Sequence, residues 1–112
     1  MSVDLQARLQ ALREAFLKEL PARLAALRRA WEGLEGNRQG DLLFEAHRLA
    51  GAAGTFGQPM LSEAARDLEE LLRASDAPDA AAVEAALAEV ESTALRITLP
   101  VPEVSPGGDL AP

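Results

Sequence analysis

Apolar residues recur at spacings of three and four along nearly all of this chain, a period that fits helices and not strands. Leu5, Leu9, Leu12, Phe16 and Leu20 form a first stripe, and Leu24, Leu27, Trp31 and Leu34 a second. Leu42, Ala46, Leu49, Ala53 and Phe56 form a third. Leu61, Ala65, Leu68 and Leu72 make a fourth, widened by Ala64 and Leu71. Val83, Leu87, Val90, Ala94 and Ile97 make a fifth, at heptad-like spacing. With three Phe, one Trp and no Tyr, the chain lacks the aromatic content of a β-sandwich and favours helices packed on Ala and Leu.

The breaks between stripes carry turn chemistry. Pro21 lacks a backbone donor and crowds the preceding turn, so residues 4–35 read as two helices or one kinked helix. Gly36, Asn37 and Gly40 read as a loop, with Asp41 as the N-cap of the next segment. Gly57 reads as a left-handed helix cap, with Pro59 opening the following helix. SDAPD at 75–79 is a turn offering Asp76 and Asp79 as caps. From Thr98 the sequence TLPVPEVSPGGDLAP cannot sustain a helix and reads as a tail or linker. The expected fold is all-α: an antiparallel up-down four-helix bundle over residues 1–97, with residues 4–20 as an extra N-terminal helix and 98–112 as the tail.

Charge and composition exclude several functions. The net charge is −7, and residues 74–112 carry most of it. No cluster of Lys and Arg suits nucleic acid. No apolar run approaches the ~20 residues of a membrane span, and MSVDLQARLQ has no signal-peptide core. There is no Cys and one His, which excludes thiolate or all-histidine metal sites. A cytoplasmic monomer without metal or cofactor is expected.

The one histidine, His47, sits beside a stretch almost bare of side chains: six of the ten residues after it are Gly or Ala. It lies about 100° from the buried stripe of its helix, on a flank shared with Leu43, Ala50, Gly51 and Gly54. A helical Gly costs about 1 kcal/mol relative to Ala. Two such losses in a domain of ~5–15 kcal/mol call for a reason. One is close packing of a neighbouring helix. The other is approach of a partner protein to His47, with Leu43 as its apolar contact.

AHRLAGAAGTFG at 46–57 resembles the signature of histidine-containing phosphotransfer (HPt) domains, roughly H-x-L-K-G-[SA]-[SA]-x-x-[hydrophobic]-G. His47, Leu49, Gly51, Ala52, Ala53, Phe56 and Gly57 fall in register. FLKELPARLAALRRAW at 16–31 and LSEAARDLEELLR at 61–73 look like the flanking helices, so the resemblance spans about residues 5–97. It implies a bundle whose His47 accepts and donates a phosphoryl group in exchange with receiver-domain aspartates, or accepts it from a histidine kinase. Such a domain has no catalytic site of its own; the receiver supplies Mg²⁺ and the acidic pocket. The same module forms the N-terminal phosphoacceptor domain of chemotaxis-type kinases.

The chemistry agrees. Neutral imidazole is nucleophilic, and its ordinary pKa of ~6.5 leaves it largely neutral at physiological pH. Glu69, 22 residues on and off the stripe of its own helix, is the candidate partner for Nδ1, by resemblance to the chemotaxis kinase domain. The chain departs from the pattern at Ala50, where the family usually has Lys. Arg48 or Arg66 is the candidate replacement for that positive charge; the plain alternative for each is a solvated surface arginine.

Two other readings stay open: an HPt-like docking module that is never phosphorylated, and a structural bundle that oligomerises through the 83/87/90/94/97 face. A self-contained enzyme would need more groups than one His and no phosphate-cradling glycine loop provide. The tail fits either a free-standing domain or the N-terminal piece of a longer protein, such as a chemotaxis-type kinase or an HPt–receiver fusion.

Overall fold

The computed structural model describes residues 2–33 and 38–98. They form four helices: α1 (Ser2–Glu32), α2 (Arg38–Thr55), α3 (Pro59–Ala74) and α4 (Ala80–Thr98). Each packs on the next in sequence, and α1 closes the bundle against α4. Short connections between neighbours force the up-down order. The expected all-α bundle is what forms.

The first two stripes belong to one helix. Pro21 lies inside α1 and is exposed, so its ring faces away from the core. Phe16, Leu20, Leu27 and Trp31 are buried on both sides of it. Burial of four large side chains, each worth ~1.5–3 kcal/mol, outweighs the ~3 kcal/mol that an internal proline costs. The extra N-terminal helix is therefore the first half of α1, continuous with the second.

At 31 residues and 1.5 Å per residue, α1 is about 46 Å long, and α2–α4 are about 24–29 Å. Its N-terminal part overhangs the others. Leu5, Leu9 and Leu12 are 41 to 57 % exposed, so that stretch of the stripe lies outside the core.

The remaining stripes are buried as spaced. Leu42, Ala46, Leu49 and Ala53 of α2 meet Leu61, Ala65, Leu68 and Leu72 of α3 and Val83, Leu87, Val90 and Ala94 of α4 in one core. Phe56 is half-buried, its ring centroid 5.6 Å from that of Phe16. The α4 face at 83, 87, 90 and 94 is fully covered by the bundle itself, with Ile97 packed against the same core. That removes the reading in which the face oligomerises.

Gly40 and Asp41 lie within α2, not in a loop and at its N-cap; Asp41 is an acidic residue of the first turn, where its charge complements the helix dipole. Gly57 has φ of 77°. Gln58 N–H donates to Ala53 O at 2.8 Å and Gly57 N–H to Gly54 O at 3.5 Å, a Schellman ending. Asp79 caps α4, its Oδ2 accepting from Ala82 N–H at 3.0 Å. Leu34, Gly36, Asn37 and the tail from residue 99 onward lie outside the described residues.

A polar cluster fastens α1 to α4. Arg28 donates from Nε and Nη2 to the two oxygens of Glu91, at 3.0 and 2.8 Å, and from Nη1 to Glu84 at 2.9 Å. Trp31 Nε1–H donates to the other Glu84 oxygen at 3.0 Å. The Glu84 carboxyl is held below the usual carboxylate range, chiefly by the Arg28 hydrogen bond.

Candidate functional site: the α2–α3 seam

Alanines line the facing sides of α2 and α3 and let the helices approach closely. Ala46, Ala50 and Ala53 are buried on one side, Ala64 and Ala65 on the other. Ser62, also buried, donates its hydroxyl to the Ala50 carbonyl at 2.8 Å. A Cβ on Gly54 would lie 3.3 Å from Ser62 Oγ, so the close approach of α3 accounts for Gly54. Gly51 is different. It is exposed, and a Cβ there would meet nothing within 4 Å. Packing inside this chain gives no reason for Gly51 to lack a side chain.

His47 stands on the rim of this seam with its side chain 65 % exposed. Its Nδ1 is 2.8 Å from Glu69 Oε2. Glu69 is only 7 % exposed, held in the seam between the buried stripe of α3 and the α2 flank. A carboxylate accepts, so the ring carries its proton on Nδ1. Nε2, on the far edge of the ring, has no hydrogen-bond partner among the described residues. The result is an oriented, exposed imidazole with its lone pair turned outward.

Arg73, one turn beyond Glu69, places Nη2 2.9 Å from the same Oε2. Arg66, one turn before Glu69 on the same side of α3, is exposed and makes no hydrogen bond or ion pair among the described residues. Across the antiparallel seam His47 faces Glu69, and Ala50 is bonded to Ser62. Arg66 falls along α3 between these two levels.

Arg48 takes another direction. Its guanidinium is 5.5 Å from the Phe44 ring centroid, and Nη1 is 4.0 Å from Glu45. It is occupied on the side of α2 away from α3.

Ala50 corrects the expected flank. It is 3 % exposed, because α3 covers that side of α2, so it offers nothing to a partner. Leu43 is half-buried against the core. The accessible apolar residue is Phe44, three before His47 and exposed. Counting only the i−4 neighbour of the histidine misses it; the i−3 position lies equally close. Ser62 carries no sequence signal for its role, which depends on how α2 and α3 align. Arg73 stands one turn after Glu69 by spacing, and its link to the histidine depends on the same alignment.

No group of three or more His, Cys, Asp or Glu among the described residues could hold a metal ion. No helix among them is long and apolar enough to cross a membrane. No curated protein and no solved structure matches the chain. The sequence model of the Hpt domain, however, matches residues 11–96, a span that takes in the seam and nearly all of the core. The chain therefore belongs to the Hpt domain family, whose members carry out phosphotransfer in two-component signalling and interact there with histidine kinases and receiver domains.

Proposed function

We propose that His47 is the phosphoacceptor of a phosphorelay, taking a phosphoryl group from a receiver aspartate or a histidine kinase and passing it on. The observation that carries this reading is the 2.8 Å contact of Nδ1 with buried Glu69, with Nε2 left outward. The Nε2 lone pair forms the P–N bond as the aspartyl P–O bond breaks, and that bond's electrons return to the receiver carboxylate. The ring becomes a cation, and Glu69 stabilises it by accepting from Nδ1–H. Positioning and charge stabilisation are most of what in-line phosphoryl transfer needs. The domain supplies the oriented nucleophile; the partner supplies Mg²⁺ and the acidic pocket.

Arg66 stands in for the motif lysine in this proposal. It is one turn from Glu69 on the exposed side of α3, positively charged, and makes no hydrogen bond or ion pair among the described residues. Arg48 is the weaker candidate, because Phe44 and Glu45 hold it elsewhere. The receiver docks over Phe44, Leu43, Gly51 and Gly54, and the bare Gly51 flank lets its phosphoaspartate reach the ring.

The second reading, a docking module that is never phosphorylated, is favoured by one observation: the lysine position is Ala50, and it is buried. Incubation with a phosphorylated receiver and Mg²⁺ separates the two. Acid-labile, base-stable phosphate on the wild type and none on His47→Gln is expected. Receiver binding without any label would establish the docking module instead.

A further inference from the structure

The chemistry proposed for His47 requires one tautomer. Free histidine in water favours the proton on Nε2, the nitrogen that must attack. The protein has to hold the proton on Nδ1, and Glu69 can do so only if its own carboxylate stays in place. Glu69 is almost buried, and of its two oxygens one is shared. Oε2 is hydrogen-bonded to His47 Nδ1 at 2.8 Å and forms an ion pair with Arg73 Nη2 at 2.9 Å.

We infer that Arg73 is a positioning residue for phosphotransfer, holding Glu69 Oε2 against His47 Nδ1 and so fixing the reactive tautomer. The inference rests on the reading of His47 as phosphoacceptor. Three observations support it. Arg73 is tied to the very oxygen that orients the ring, whereas Arg66, on the same side of α3, makes no hydrogen bond or ion pair among the described residues. A nearly buried carboxylate facing a neutral ring needs a permanent cation, and arginine remains charged at any relevant pH. The turn that carries Arg73 is itself fastened: Gln39 Nε2, at the start of α2, donates to Leu72 O and Ser75 O, both at 2.8 Å. The base of the arginine is thereby pinned to the helix that bears the histidine. An ordinary exposed i,i+4 pair is worth little, but here one partner is buried and its orientation matters to a third group.

The two arginines that flank Glu69 thus divide the work. Arg66 is free to meet the incoming phosphoryl group. Arg73 never has to touch it.

The test uses the single histidine of the chain, which makes its imidazole ¹⁵N spectrum a one-residue readout. Spectra of wild type, Arg73→Ala and Arg73→Lys are recorded where the ring is neutral, alongside transfer rates from a phosphorylated receiver at saturation. Arg73 is 58 % exposed, so both variants should keep the helical circular dichroism of the wild type. Expected for Arg73→Ala is a shift of the neutral ring toward Nε2–H. The saturated rate falls about fivefold as Glu69 Oε2 loses the ion pair that holds it. Half-saturation by the receiver does not change, and Arg73→Lys recovers part of both losses. An unchanged tautomer ratio in Arg73→Ala overturns the inference. So does an unchanged saturated rate with weaker half-saturation, which would place Arg73 in the docking surface. If the wild type takes no phosphate at all, the reading of His47 fails, and the ¹⁵N spectra still decide whether Arg73 sets the tautomer.

Discussion

Glu69 Oε2 and His47 Nδ1 lie 2.8 Å apart across the seam between two helices, although 22 residues separate them in the chain. The carboxylate is buried and the ring is mostly exposed. This asymmetry suits the task, since a fixed acceptor behind an accessible ring orients the nucleophile without covering it.

Glu69→Ala should therefore keep the fold and lose rate. Phosphotransfer from a receiver to His47 is expected to slow about tenfold, equivalent to ~1.4 kcal/mol of lost positioning and charge stabilisation. Initial rates at saturating receiver check it, with circular dichroism as the folding control. A rate equal to wild type would remove Glu69 from the mechanism.

The two glycines of the flank should respond differently to alanine. Gly51 faces open space, so Gly51→Ala should gain about 1 kcal/mol from helix propensity and raise the melting temperature by about 5 °C. At Gly54 the new methyl would press on Ser62 Oγ at 3.3 Å. That hydroxyl cannot yield without stretching its 2.8 Å bond to Ala50 O. Gly54→Ala should gain much less, or destabilise. Thermal melts of both variants decide it.

The long helix α1 should divide sharply in its sensitivity to truncation. Leu20→Ala removes a side chain with no exposed surface and should cost about 2–5 kcal/mol. Leu9→Ala lies on the overhang and should change stability by no more than about 0.5 kcal/mol. Urea unfolding of the pair measures whether the first half of α1 belongs to the cooperative unit.

The Arg28 cluster should matter at neutral pH and fade in acid. Arg28→Ala breaks bonds to both Glu84 and Glu91. It should cost about 1 kcal/mol, the partial exposure of the cluster limiting the loss. The Glu84 carboxyl is depressed in the fold by Arg28. A depressed carboxyl stabilises the folded state above its unfolded pKa, near ~4.3, and that contribution is lost as pH falls through the folded value. The urea midpoints of wild type and Glu84→Gln should differ at pH ~7 and converge as pH falls below the depressed folded value.

Much of this protein was legible in the order of its residues. The spacing of Leu42, Ala46, Leu49 and Ala53, and of their counterparts in α3 and α4, determined the helices and their buried faces, because burial follows the helical period wherever another helix covers the stripe. Gly57 and Asp79 marked helix ends through local backbone chemistry alone. His47 stood out because its neighbours lacked side chains, and Glu69 through the resemblance, by its place 22 residues on and off the stripe of its own helix.

Tertiary structure decided what periodicity cannot encode. The Leu5, Leu9 and Leu12 stripe continues that of Phe16 and Leu20, yet it is exposed, since α2–α4 are too short to reach it. Pro21 leaves two helices or one kinked helix open by sequence, and core contacts on both sides carry one helix through it. Ala50 lies on the histidine's flank by angle and is buried because α3 leans over that side. Arg73 and Arg66 are equivalent by spacing, one turn either side of Glu69. The i,i+4 pairing of Arg73 with Glu69 is local to α3, but only the register of α2 against α3 brings His47 to that same oxygen; Arg66 makes no hydrogen bond or ion pair among the described residues. Sequence determines each helix through interactions a few residues apart; the division of labour at the seam comes from contacts between helices that no local pattern specifies.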